Sequence, residues 1–133
     1  MERKYLFRGK TIATNEWIYG GLAVIDNLHY IVKLINYECG TSSLGTFAVA
    51  PESVGQYIDQ TDENDIPIFE GDIIYNELKD QYAEIRWDPE TSRFVLLFDD
   101  YRCGALNGFE DFDGFELNVV GNIFDGGDNN GRL

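Results

Sequence analysis

The residues of this 133-residue chain best placed for chemistry lie in DENDIPIFEGDIIYN, residues 62–76. Asp62, Glu63, Asp65, Glu70 and Asp72, with Glu77 just beyond, surround a short apolar run there. Clustered carboxylates suit a hard cation, and an EF-hand loop takes oxygens at positions 1, 3 and 5, glycine at 6 and glutamate at 12. Counted from Asp62, Asn64 meets position 3, but Ile66, Pro67 and Ile73 stand at positions 5, 6 and 12. A second stretch, FEDFDG, puts Phe109 at position 1 and Val120 at position 12 and fails as well. Glycoside hydrolysis needs two carboxyls about 5–10 Å apart, one of them kept protonated. Glu70 and Asp72 are the weak candidates for that pair, because residues i and i+2 of an extended chain share a face. The same EGD spacing also serves a turn, in which Gly71 bends the chain and a neighbouring acid accepts backbone N–H groups. The structural role is the expected one, so no catalytic residue, metal or cofactor is assigned.

Other catalytic patterns are missing. There is no GxxxxGK[ST], no GxGxxG after a strand and no GxSxG. Ser42 and Ser43 have no histidine near in sequence, and the single histidine, His29, reads as a strand residue in NLHYIVKL. Cys39 and Cys103 form no CxxC pair; they are expected as reduced, buried or half-buried thiols, with no zinc site.

Elements must be found that would position these acids. A content of 44% hydrophobic and 14% aromatic residues is enough for a packed core, and fourteen glycines imply many turns between short strands. No segment repeats every 3.6 residues over three turns, so the expected class is mainly β with little helix. KYLFRG is a strand ended by Gly9; EWIYGGLAVID is interrupted at Gly20-Gly21; Asp26-Asn27 turns it into DNLHYIVKLINY. In the last, Leu28, Tyr30, Val32 and Leu34 form an apolar face, and His29, Ile31, Lys33 and Ile35 a mixed one. A polar connection then leads to a short strand, Thr46 to Ala50, stopped by Pro51. ESVGQYI and IFEGDIIYN follow. QYAEIRWDPETSRFVLLF is the strongest hairpin signal, with Ala83, Ile85 and Trp87 on the apolar face of its first strand and a return run, RFVLLF, apolar on both faces. YRCGALNGFEDFDG reads as loop or one helical turn, and FELNVVGNIFD as the closing strand.

Charge limits the partners. Residues 1–50 carry five basic groups against four acidic, and residues 51–133 five against twenty, for a total of −14. That surface repels phosphate backbones, so direct nucleic-acid binding is disfavoured and any charge-steered partner is a basic protein. In GFEDFDGFE the aromatics interleave with Glu110, Asp111, Asp113 and Glu116, which suits a loop over a core edge or a contact surface for such a partner. No apolar run approaches the roughly 18 residues of a membrane span, and no signal-peptide pattern is visible. A cytoplasmic protein is expected.

FRGK (7–10), WIYG (17–20), PESVGQY (51–57), IFEGDII (68–74) and VVGNIFD (119–125) resemble, in order and spacing, the YopX-like family of phage and prophage proteins. The resemblance spans nearly the whole chain except its tail. Asp65 stands where the family usually has a turn glycine, and Phe69 where it has tyrosine. The resemblance implies an N-terminal β region, residues 1–50, packed beside an SH3-like barrel, residues 51–125, with 126–133 as a mobile tail. It also implies self-association into a homo-oligomer and no established activity. Its recurring residues are Gly9, Trp17, Gly20, Gly55, Gln56, Tyr57, Glu70, Gly71, Asp72, Gly121 and Asn122. In that reading Gly55 and Gly71 serve bends, Trp17 and Tyr57 the core, and Gly121 a close approach of the last strand. The expected function is a non-enzymatic accessory module in the host cytoplasm. The alternatives are an acidic nucleic-acid mimic and a hydrolase using Glu70 and Asp72.

Overall fold

The computed structural model describes residues 4–76, 80–98, 103–105 and 117–125. Strands make up 65% of these residues, and the one helical segment among them is a 3-10 turn at Pro51–Ser53, so the class is mainly β. The chain divides into two units, residues 1–57 and 58–133.

The first unit is an antiparallel meander of β1 (Phe7–Lys10), β2 (Trp17–Ile25), β3 (Leu28–Asn36) and β4 (Ser42–Val49). The start of β5 (Gly55–Thr61) lies on the other side of β1, with Phe7 opposite Gln56 and Arg8 opposite Gly55. Asp26 and Asn27 turn β2 into β3 at φ 51° and 67°. Positive φ at both positions is what a two-residue turn needs to match the strand twist, and Asp and Asn tolerate it.

Two expectations about glycine are corrected here. Gly9 lies inside β1 and Gly20-Gly21 inside β2, with no break at either. Both strands run on because the glycines make room across the sheet. A Cβ on Gly9 would stand 3.0 Å from the Val49 side chain, and one on Gly20 would meet the Val32 carbonyl. β4 also begins earlier than expected, at Ser42, paired with β3 along its whole length from Asn36↔Ser42 to His29↔Val49.

The two faces of β3 have unexpected fates. Ile31, from the mixed face, is fully buried, whereas Leu28 and Leu34, from the apolar face, are 57% and 56% exposed. The cause is a non-local contact. Past the end of β1, Thr11 bridges to Val49, Ile12 N–H donates to the Ala48 carbonyl and Ala50 N–H to that of Lys10. This ties the far strand of the meander to the first, and the sheet curls toward the side carrying Ile31, Phe47 and Val49. The apolar face is left outside.

The second unit holds β6 (Pro67–Phe69), β7 (Asp72–Asn76), β8 (Gln81–Asp88), β9 (Arg93–Phe98), β10 (Cys103–Ala105) and β11 (Leu117–Asn122). β6 lies beside β5, and the other five form an antiparallel sheet in the order β10-β9-β8-β7-β11. Neither sheet closes into a barrel. The core is Ile58, Ile68, Ile74, Ala83, Ile85 and Leu96, with Phe94 and Val119 packed against it. Val95 and Leu96, on opposite faces of β9, are both buried, so this strand between β8 and β10 is covered on both faces there. The alternation along β8 holds at Ala83 and Ile85. It fails at Trp87, which is exposed at the hairpin end with its ring edge-on to Phe94 at 5.1 Å, and at Glu84, which is buried. Among the described residues no helix is long and apolar enough to cross a membrane.

The glycine geometry gives a direct test. Gly20→Ala forces a methyl group against backbone and costs about 1–3 kcal/mol in urea unfolding. Gly21→Ala meets nothing nearer than 3.8 Å and stays close to wild type.

Candidate functional site

Asp62 directly follows β5 and is buried. Its Oδ1 accepts the N–H groups of Asn64 at 2.8 Å and Ile66 at 3.0 Å, and its Oδ2 accepts that of Val119 at 3.0 Å. The backbone closes the same turn, Asp62 N–H donating to Ile66 O and Asp65 N–H to Asp62 O. Asp65 takes φ 63°, the left-handed value that a turn glycine would supply. Asn64 reaches β11 as well, its Nδ2 donating to Asn118 Oδ1 at 2.9 Å. One carboxylate thus organises the 62–66 turn and fastens it to the last strand. Glu63 and Asp65 point into solvent from that turn.

Glu70 and Asp72 do not share a strand face. Glu70 and Gly71 form a turn between β6 and β7, with Gly71 at φ 93°. Gly71 is held on both sides, its N–H donating to Ile85 O at 2.8 Å and its carbonyl accepting Ile123 N–H at 3.0 Å. Asp72 is buried, and its Oδ2 accepts the Phe69 N–H at 2.8 Å, bracing the bend from within. Glu70 is half-buried. A third buried acid, Glu84, was not singled out from the sequence. Its carboxylate takes a two-pronged contact from Arg86, Nε at 3.2 Å and Nη2 at 3.1 Å. The i, i+2 spacing of Glu84 and Arg86 on one strand face was the signal that could have found it.

The remaining sequence-marked residues fall elsewhere. Asn122, opposite Asp72, ends β11 by accepting the N–H groups of Phe124 and Asp125 on Oδ1. Gly121 follows a register shift between Val119 and Gly121, where β11 accommodates an extra residue. Gly55 is a buried strand position opposite Arg8, and Tyr57 is half-buried, its N–H donating to Leu6 O. Trp17 is half-buried on the strand face that carries two cations, with the Arg8 guanidinium 4.7 Å and the Lys10 ammonium 5.6 Å from its ring. His29 lies in β3 between Val24 and Val49, with Nδ1 buried and without a hydrogen-bond partner. Cys39 is exposed on the β3–β4 turn, contrary to the buried or half-buried thiol expected, and the Thr41 hydroxyl beside it holds its pKa below the usual thiol value. Glu110, Asp111, Asp113 and Glu116, and the 126–133 tail, lie outside the described residues. Among the described residues no three His, Cys, Asp or Glu side chains converge as a metal-binding group.

Asp62 and Asp72 present acceptors to backbone amides. Both oxygens of Asp62 are engaged, and Asp72 faces its own bend. This geometry can fix a turn and deliver β7 and β11 to each other.

A family model described as YopX protein matches residues 6–128, most of the chain, and the chain belongs to that family. No curated protein matches it.

Two measurements follow from the acids. Asp62→Ala strands three backbone donors and lowers the unfolding free energy by about 2–3 kcal/mol; Asp62→Asn, which keeps one oxygen, falls between. At the β8–β9 turn, Asp88 accepts from the Thr91 hydroxyl at 2.7 Å and the Glu90 N–H at 3.0 Å, and these bonds lower its pKa. A lowered folded-state pKa contributes stability above the unfolded value that is lost as pH falls through the folded one. Urea midpoints of the wild type therefore drop over that acid window by more than those of Asp88→Asn.

Proposed function

We propose that this YopX-family chain is a non-enzymatic accessory module of phage or prophage origin, working in the host cytoplasm through protein–protein contacts, self-association among them. One observation carries the reading. Asp62 and Asp72 accept backbone amides and Glu84 an arginine, while Tyr19, Leu28, Leu34 and Leu44 stand uncovered on the strands of the first unit. Exposed apolar surface grouped on one sheet face is the usual mark of a contact site. An SH3-like packing of the second unit belongs to the same reading. Its support is the strand order, in which β11 lies beside the first strand of the β7–β10 meander.

A second reading has its own support. Residues 58–133 carry five basic groups against nineteen acidic, which favours a mimic of nucleic acid docked on a basic protein. Salt separates the two, since charge pairing is screened and apolar contact is not.

The test is capture of partners from phage-infected host extract on tagged full-length chain, with light scattering of the purified protein. Contact through apolar surface gives a complex or an oligomer that survives high salt. A complex lost at high salt and displaced by duplex DNA supports mimicry instead. A monomer at every concentration that retains nothing overturns both readings. An activity abolished by Glu70→Gln or Asp72→Asn in a folded protein would restore the hydrolase.

A further inference from the structure

Among the described residues the open edge of the first unit's sheet is β4, and it is open over a definite length. Ala48 accepts from Ile12, and Ala50 donates to Lys10, both on the side away from β3. The β3–β4 register is unbroken from Ser42 to Val49. By the two-residue period of a strand, Ser42, Leu44 and Thr46 direct their N–H and C=O groups to that same outer side. The contact with residues 10–12 covers only the Ala48 end.

Edges of this kind are ordinarily guarded by charge, proline or a bulge. None is present. Thr41 to Ala50, TSSLGTFAVA, contains no charged residue and no proline. Beside the edge, Leu44 sits directly opposite Leu34 on the outer face, and the two are 71% and 56% exposed. Residues 1–57 carry five basic and five acidic groups, so this unit adds no net charge at its edge, and the net charge of −14 lies in residues 58–133.

We propose that β4 pairs antiparallel with β4 of a second copy about a twofold axis at Leu44, deepening the self-association reading above and resting on it. Outward-facing residues pair with outward-facing residues, which sets Leu44 against the partner's Leu44, and Ser42 against the partner's Thr46 on either side. Each such pair exchanges two hydrogen bonds, about six across the seam. The register places four leucines in one row on the outer face, Leu34 and Leu44 followed by the partner's Leu44 and Leu34. The edge is therefore self-complementary in both backbone and side chains. An acidic or basic peptide strand would find no counter-charge along it.

The experiment uses purified full-length protein alone, so that a second copy is the one strand available. Light scattering over a concentration series is combined with amide hydrogen exchange at Leu44 and Thr46. The proposal expects a twofold rise in mass, with exchange at both amides slowing in step with it. Leu44→Lys, at an exposed position, leaves a folded monomer, and Leu44→Ile keeps the dimer. Thr46→Lys, also exposed, serves as the second variant if the first fails to fold. A wild-type monomer throughout, a dimer indifferent to these lysines, or a dimer whose Leu44 and Thr46 amides still exchange freely overturns it. In that event, partner capture from extract by the same chain leaves the broader interaction reading standing, and its failure removes both.

Discussion

A carboxylate withdrawn from water has to be met by donors, and the second unit is arranged around acids that are. Asp62 gathers three backbone amides, Asp72 one from its own bend, and Glu84 a guanidinium. An unmet buried charge is costly, so these contacts constrain the chain. Asp62 does most, because its two oxygens serve different places, Oδ1 the local turn and Oδ2 a strand 57 residues further on. With Gly71 clamped between Ile85 and Ile123, this fixes where β7 begins and which strand flanks it. At Asp62, Gly71 and Asp72 the acid-rich segment is thus tied to the backbone around it.

The first unit obeys a different constraint. Its sheet curls because residues beyond β1 bond the end of β4, and glycines at positions 9 and 20 permit the close approach that the curl demands. A curled sheet of four strands has one inside. Ile31 and Val49 fill it, and the apolar alternation of the opposite face remains uncovered. The exposed leucines are thus a consequence of the fold's own closure contacts, and the edge next to them, Thr41 to Ala50, carries no charge.

Much of this was legible in local sequence. Asp26-Asn27 announced a hairpin, the 81–98 stretch announced another, and Gly71 between two acids announced a bend. Local signals succeeded where the cause was local. They failed where it was remote. Gly20-Gly21 has the composition of a turn, and only the Val32 carbonyl across the sheet explains why it is strand. Trp17 has the composition of core, yet it lies beside two cations brought alongside by β1. The burial of Glu84 and the exposure of Leu34 depend on which side each sheet covers, and period-two alternation is silent about that. Asp62 was visible as an acid in a turn. Its bond to Val119 was not, because nothing in either segment names the other.

Amide hydrogen exchange at Val119, compared between wild type and Asp62→Asn under native conditions, tests the scaffold account most directly. The account predicts strong protection of the Val119 amide in the wild type and its selective loss in the variant, with Ile74 and Ile85 amides still protected. Unchanged protection at Val119 would show that the Asp62 carboxylate holds nothing in place, and the acids of this segment would have to be reconsidered as reactive groups.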